Sequence, residues 1–445
     1  MSNVFLPIGG GNEIGASSYF VQLNGDKLLL DSGIRLHSEY KHPRFVSLYE
    51  KNFLHHLWDL EAILISHGHL DHIGSLPTVV SEAKDVPVYA TQPTKAIMEL
   101  QLKPTRTDET FLDVQAVKEF TEERFQSTIA SVEPTAWNQP IQLKNCQVTF
   151  FPSGHILGAS MIYIESDIGN VLFTGDFTPF NQMTVPSYQI PDDLEVDLLI
   201  TESTYGYQEA AHVGDVDAER EIFARKIEQC LTKNGWVLIP AFAIGRSQEV
   251  ALILQSLISN KHLKPFRIYI DGLAQIVCDI YEKNGVNIFG KNINKAPKSL
   301  MRNLDTFNTG VIIASSGMLL NKSASARYAE KLLPNSRNAI FFSGYLDEES
   351  PGRKLDLVRR NRGKSFRLNR KNVSVRATVD TYRLSAHTDN KGILDLIENV
   401  HPKKVVFVHG KPQSRSKINI YRTTCRQFGN QIGVYQANNG MPIYF

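Results

Sequence analysis

The sequence predicts an α/β protein in which one domain is interrupted by a second. Three observations carry that expectation. Through residues 1–205, short apolar runs repeatedly stop at Gly, Ser or Asp: DKLLLDSG (26–33), EAILISHGH (61–69), NVLFTGDF (170–177) and VDLLITEST (196–204). Each reads as a buried strand that ends at turn-forming residues. Beyond Tyr205 the pattern changes. DVDAEREIFARKIEQCLTKNG (215–235) places apolar residues near i, i+3 and i+4 and closes on Gly, which predicts a helix. WVLIPAFAIG (236–245) then reads as strand, SQEVALILQSLISN (247–260) as helix and FRIYIDG (266–272) as strand. That alternation implies a parallel sheet with right-handed crossovers, continued by VIIASSG (311–317) and AIFFSG (339–344). After about residue 372 the first style returns, with VVFVHG (405–410) ending in a polar tip. The expected division is therefore 1–205 and 373–445 for the first domain, with 206–372 inserted.

Composition agrees with this size. At about 150 residues per domain, 445 residues suggest two or three domains. Hydrophobic residues are 42% and charged residues 21%, enough for a large core. Lys plus Arg is 48 against 46 for Asp plus Glu, so a wholly basic nucleic-acid coat is excluded while a local basic groove is not. Cys146, Cys230, Cys278 and Cys425 lie far apart, which excludes a disulfide scaffold or a Cys-based zinc finger and suits a reducing cytosol. The opening residues show no signal-peptide pattern, and no apolar run reaches the 18 or so residues of a membrane span. A soluble cytoplasmic protein with no membrane partner is expected.

SHGHLDH is the strongest chemical signal. His67, His69, Asp71 and His72 crowd a loop between the end of strand AILI (62–65) and the helix-like run that begins DHIGSLPTVV. Imidazole and carboxylate suit zinc and related divalent ions. A solvent-facing His-rich turn is the bland explanation, but three His and one Asp within six residues rarely arise for solubility. Other strand ends add single candidates beside Gly: His155 in FPSGHILGAS, Asp176 in LFTGDF and His409 in VFVHG. Each alone could be a structural residue. Together they could converge on one cleft. His37, His42, His55, His56, His212, His262 and His401 have no such setting and are taken as structural.

These residues carry a resemblance. HxHxDH followed by His155, Asp176 and a late histidine resembles the metallo-β-lactamase fold, an αββα sandwich, and Asp31 in LLLDSG matches its first motif. The middle segment resembles the parallel-sheet β-CASP insertion: Glu202 in LLITEST, His387 in LSAHTD and His409 in VHG match its three extra motifs, and PAFAIGRSQE (240–249) and SGYLDEESPGR (343–353) are similar to its sequence. The similarity spans nearly the whole chain and is closest to the RNA-processing branch, which includes the cleavage-and-polyadenylation endonuclease and ribonuclease J. It implies two zinc ions per chain, one on His67, His69 and His155 and the other on Asp71, His72 and His409, bridged by Asp176, with Asp31 orienting the site. Two divalent ions can clamp the attacking and leaving oxygens of a phosphoryl displacement. In that chemistry His387 is the natural proton donor to the leaving oxygen, and Glu202 holds it charged and oriented. The N-terminal RNA-binding module of archaeal relatives and the C-terminal extension of ribonuclease J are not seen.

Substrate handling is expected from the insertion. Residues 353–376 hold ten Lys or Arg against one acid, Asp356, a charge pattern that fits phosphate binding and fits a solvated face equally well. Arg246, Ser315, Ser316, Gly317, Ser343, Gly344 and Arg353 are candidate phosphate contacts at strand ends and loops. The expected activity is a zinc-dependent ribonuclease cutting single-stranded RNA internally, with 5′-exonuclease action secondary and products ending in 5′-phosphate and 3′-hydroxyl. A homodimer is an expectation from relatives. Two rival functions are a hydrolase of a non-nucleic-acid ester, lactam or small phosphodiester, and a non-catalytic RNA-binding subunit. Glu202 and His387 argue against the first, and the complete ligand set argues against the second.

Overall fold

The central strands are apolar on both faces, and two layers form because each face needs a cover. In the strand Lys404–Val408, Val406 and Val408 turn one way while Val405 and Phe407 turn the other. Leu198 and Ile200 oppose Leu199 in Leu198–Glu202, and Val171 and Phe173 oppose Leu172 in Gly169–Phe173. The first set packs against Phe5, Val21, Leu28, Leu30 and Leu64 from a second sheet. The other set packs beneath helices, against Ile393, Leu396, Ile397 and Val400 of Asn390–Val400 and Ile420 of Ile420–Phe428. Strand side chains alternate with period two, so one continuous apolar run serves both interfaces.

The computed structural model describes residues 3–36, 38, 40–104, 121–207, 216–344, 346–412 and 419–445. His37, His212 and Asp215 lie outside the described residues. The described chain forms two compact units, one of residues 3–104, 121–207 and 386–445 and one of residues 216–385.

In the first unit, one seven-stranded sheet runs in the order Ile443–Tyr444, Val4–Gly9, Ser18–Leu23, Asp26–Leu30, Ala62–Leu64, Val88–Thr91, Val132–Thr135. It is parallel from Asp26–Leu30 onward. The helices Gln92–Gln101 and Glu122–Ser131 pack on its far strands, and Leu76–Glu82 packs on Glu122–Ser131. The other sheet runs Gly433–Gln436, Lys404–Val408, Leu198–Glu202, Gly169–Phe173, Ser160–Ser166, Gln147–Pro152, Ile141–Gln142, and its first four strands are parallel. Sheets inside and helices outside make the expected αββα sandwich. Asp31, His67, Asp176 and His409 follow the carboxyl ends of parallel strands, and Glu202 is the last residue of one.

The second unit is built on six parallel strands in the order Ile293–Lys295, Ile268–Asp271, Val311–Ala314, Val237–Pro240, Ala339–Phe342, Thr378–Thr381. The parallel sheet expected from the strand–helix alternation is therefore present. The helix expected to reach residue 235 spans Val216–Leu231. It stops where Asn234 takes a left-handed φ of 54° and Gly235 abuts the Arg337 carbonyl so closely that a Cβ would meet its oxygen at 1.8 Å. No helix among the described residues is long and apolar enough to cross a membrane.

Candidate metal centre

The loop after Ala62–Leu64 is held against the end of Asp26–Leu30 by one buried carboxylate. Asp31 accepts from the Ser66 amide and hydroxyl and from His72 Nδ1, all at 2.7 Å. Gly33 allows this turn to lie on the following helix: a Cβ there would meet the Asp71 carbonyl oxygen at 1.6 Å. Asp31 thus spends its oxygens on positioning. His72 Nε2 is left facing the cleft.

The same division of labour recurs at the other histidines, and hydrogen-bond acceptors assign the tautomers. His155 Nδ1 lies 3.2 Å from the Ala386 carbonyl, which can only accept. Ser66 Oγ gives its proton to Asp31, so at 3.0 Å it accepts from His67 Nδ1. Thr204 Oγ1 donates to Glu202 Oε2 at 2.5 Å and accepts from His409 Nδ1 at 3.0 Å. His67, His72, His155 and His409 therefore carry their protons on Nδ1 and turn Nε2 lone pairs inward.

Those lone pairs converge. His67 Nε2 and His155 Nε2 lie 3.1 and 3.3 Å from His69 Nδ1, and Asp176 Oδ2 lies 3.6 and 3.7 Å from the same two Nε2 atoms. Beside them, Asp71 Oδ2 is 3.3 Å from His409 Nε2, and Asp176 Oδ2 is 3.5 Å from His72 Nε2. Two ligands on a tetrahedral ion with bonds of about 2.0–2.1 Å stand roughly 3.3 Å apart, which is the spacing seen here. Asp176 Oδ1 is buried without a hydrogen-bond partner. The donor set fits divalent metal: His67, His69, His155 and Asp176 could hold one ion, and Asp71, His72 and His409 another.

Charge follows the same plan. Burial, then neighbouring imidazoles, holds His67 and His155 well below the usual imidazole value, leaving them neutral donors. Burial also opposes charge on His72, but Asp176 and Asp31 outweigh it and raise His72, so its Nε2 holds a second proton that a metal ion must displace. Asp176 is depressed well below the carboxylate range, against its burial, by His409, His72 and His387.

Glu202 and His387 form a pair next to this cluster. Glu202 is fully buried, accepts from the Phe177 amide at 2.8 Å, and lies 3.0 Å from His387 Nδ1. Burial alone would lower His387. Glu202, followed by Asp176, overrides it and pushes the imidazole up to about 9. Thr204 links this pair to His409. Neither Thr204 nor Ser66 was expected from the sequence, although both sit within two residues of a motif residue.

The remaining candidates belong to the second unit. Arg246 opens the helix Arg246–Ser259, is buried, and donates to the Leu384 carbonyl. Ser315 Oγ accepts from the Leu273 amide at 3.1 Å and Ser316 Oγ from the Leu320 amide at 3.0 Å. Ser343 and Gly344 follow Ala339–Phe342, with Ser343 buried and Gly344 half-buried. Arg353 lies on the helix Pro351–Arg360 and pairs with Asp356 at 3.2 Å.

Comparison with known proteins agrees with this geometry. Residues 11–223 match the family described as Metallo-beta-lactamase superfamily, 247–355 the Beta-Casp domain and 372–421 the Zn-dependent metallo-hydrolase RNA specificity domain. The chain is 30% identical to "RNase aCSPSF2" of Saccharolobus solfataricus over 94% of its own length and 81% of that protein. It is 28% identical to "Endoribonuclease YSH1" of Gibberella zeae, covering 93% of this chain and 54% of that one. It is 30% identical to "Integrator complex subunit 11" of Danio rerio, covering 91% and 68%. The chain thus spans about half the length of the Gibberella relative. A solved protein of unknown function from Enterococcus faecalis shares the fold, with a TM-score of 0.62 at 14% identity and full coverage of both chains.

Proposed function

This chain belongs to the β-CASP family of the metallo-β-lactamase superfamily, and from that premise we propose that it is a zinc-dependent ribonuclease that hydrolyses single-stranded RNA internally. The observation that carries the reading is the set of inward-facing imidazole nitrogens beside the pair of buried Glu202 and half-buried His387. His67, His69, His155 and Asp176 would hold one zinc, and Asp71, His72 and His409 would hold a second. When bound, the two ions supply Lewis-acid charge at the attacking and leaving oxygens and lower the pKa of water. Asp31 keeps His72 in its ligating tautomer. Asp71, depressed below the carboxylate range against its burial by His409 and His72, stays ionised. His387, protonated at neutral pH, gives its Nε2 proton to the departing ribose 3′-oxygen, while Glu202 holds the Nδ1 proton and keeps the ring charged and oriented. Products then end in 5′-phosphate and 3′-hydroxyl.

The segment 206–372 handles substrate. Ser315 and Ser316 use a lone pair on the fold, so their hydroxyl protons are available to a phosphate oxygen. Arg246, Ser343 and Gly344 complete the candidate contacts, while Arg353 is taken up by Asp356. Four free cysteines fit a reducing, cytoplasmic setting. The test uses 5′-labelled, 3′-labelled and circular RNA of one sequence. Cleavage of the circle and fragments with 5′-phosphate ends are expected. Survival of the circle while linear RNA shortens from its 5′ end would replace internal cutting with exonuclease action, and no cleavage of any RNA would overturn the reading.

A further inference from the structure

Eight of the ten cations of residues 353–376 separate into two groups; of the others, Lys354 is exposed on the helix Pro351–Arg360 and Lys371 pairs with Glu330. Arg353, Arg359 and Arg360 lie on the helix Pro351–Arg360 and all pair with the buried Asp356, at 3.2, 3.0 and 2.9 Å. Their spacing from Asp356 of three or four residues puts them on its face of the helix. Arg359 also pairs with Asp380. This group is a structural network, and its charge is largely consumed.

The second group lies on and beside a β-hairpin. Ser365–Leu368 pairs antiparallel with Lys371–Ser374 in the register Ser365 to Ser374 and Arg367 to Asn372. Phe366, Leu368 and Val373 point into the unit's core. Alternation therefore turns Ser365, Arg367, Asn372 and Ser374 outward, and all four are exposed. The two-residue turn, Asn369 and Arg370, is left-handed at both positions, as a tight hairpin needs. It is clamped: the Asn369 side chain accepts from the Lys322 amide and donates to Glu330, while its amide donates to Asn321. Arg362, Lys364, Arg367, Arg370 and Arg376 are exposed, and none has a carboxylate partner among the described residues. The face offers hydroxyls, an amide and cations on a rigid base, with no acid.

We propose that this hairpin face is a docking strip for the sugar–phosphate backbone of RNA, held through Lys364, Arg367 and Arg376 with Ser365, Asn372 and Ser374 as hydrogen-bond donors. The proposal rests on the ribonuclease reading and adds a sequence-independent anchoring surface to it. Charge complementarity selects the occupant. An uncompensated row of cations gains most from a polyanion whose release of counterions drives binding, and phosphate contacts fix position without reading sequence. The paired group on the helix gains little, because each arginine must first leave Asp356.

The zinc-loaded protein, a cleavage-resistant phosphorothioate oligouridine and a salt series test this. Changing Lys364, Arg367 and Arg376 together to Ser should weaken binding about tenfold or more and flatten the plot of log affinity against log salt by roughly 2, since each single-strand phosphate contact contributes about 0.7. The same three changed to Arg or Lys, keeping charge, should restore the slope. A control with equal charge loss at the exposed Lys261, Lys264 and Lys298 should keep the wild-type slope. A hairpin variant that matches this control overturns the proposal while leaving the nuclease reading intact. Wild-type protein that neither binds nor cuts RNA would overturn both.

Discussion

Two sets of strand ends use their polar groups in opposite ways. In the first unit, His67, His72, His155 and His409 commit a ring proton to the fold and present a lone pair. In the second unit, Ser315 and Ser316 commit a lone pair to backbone amides and keep a proton. The first arrangement suits a cation and the second an anion. His67 and His409 follow the carboxyl ends of parallel strands, as Ser315 and Ser316 do, where α/β sheets place their ligands. What separates them is which half of each polar group the fold leaves over.

That contrast can be broken at several points. The largest effect among single substitutions is expected at His387. His387→Ala should slow single-turnover cleavage by about 10²–10⁴-fold with zinc content and RNA affinity kept, as the loss of a general acid requires. An unaltered rate with weaker RNA binding would move His387 from the chemistry to the substrate. Glu202→Gln should lower the rate less and shift its pH profile. Glu202 is the main charge that raises His387, so its neutralisation lowers that pKa, and the alkaline limb should move to lower pH. A limb that stays in place would mean that another group sets it.

Thr204 sharpens the comparison, because it joins His409 to the Glu202–His387 pair. Thr204→Val should cost about 10–100-fold in metal affinity or activity, while Thr204→Ser restores both, since only the hydroxyl matters. If the Ser variant is as poor as Val, the methyl packing is what counts. The smallest effect belongs to the anion side. Ser315→Ala should raise KM about two- to tenfold with kcat unchanged, the equivalent of one hydrogen bond of about 0.5–1.5 kcal/mol. A fall in kcat without a change in KM would place Ser315 nearer the reacting atoms.

The difference between the sides also explains what could be read without a structure. Metal-site candidates were legible because each is one His or Asp at the tip of an apolar run, and such residues have few other reasons to be there. The parallel insertion was legible from similar runs, while the sandwich followed from the resemblance that the motifs carry. Thr204 and Ser66 were hidden, because a hydroxyl at a strand end looks like ordinary turn chemistry. The pairing of Arg353, Arg359 and Arg360 with Asp356 was available in principle from helical spacing, but only once Pro351–Arg360 is known to be a helix. The hairpin Ser365–Ser374 gave no signal because its turn is Asn369–Arg370, without the Gly that usually marks one.

The central claim is that inward lone pairs in the first unit hold two zinc ions that the nuclease needs. Metal-free protein titrated with zinc, with RNA cleavage followed at each addition, tests it most directly. Cleavage should be absent at the start and rise to a plateau at about two equivalents, the number that paired metal-ion chemistry requires. Full cleavage before any zinc is added would contradict the account.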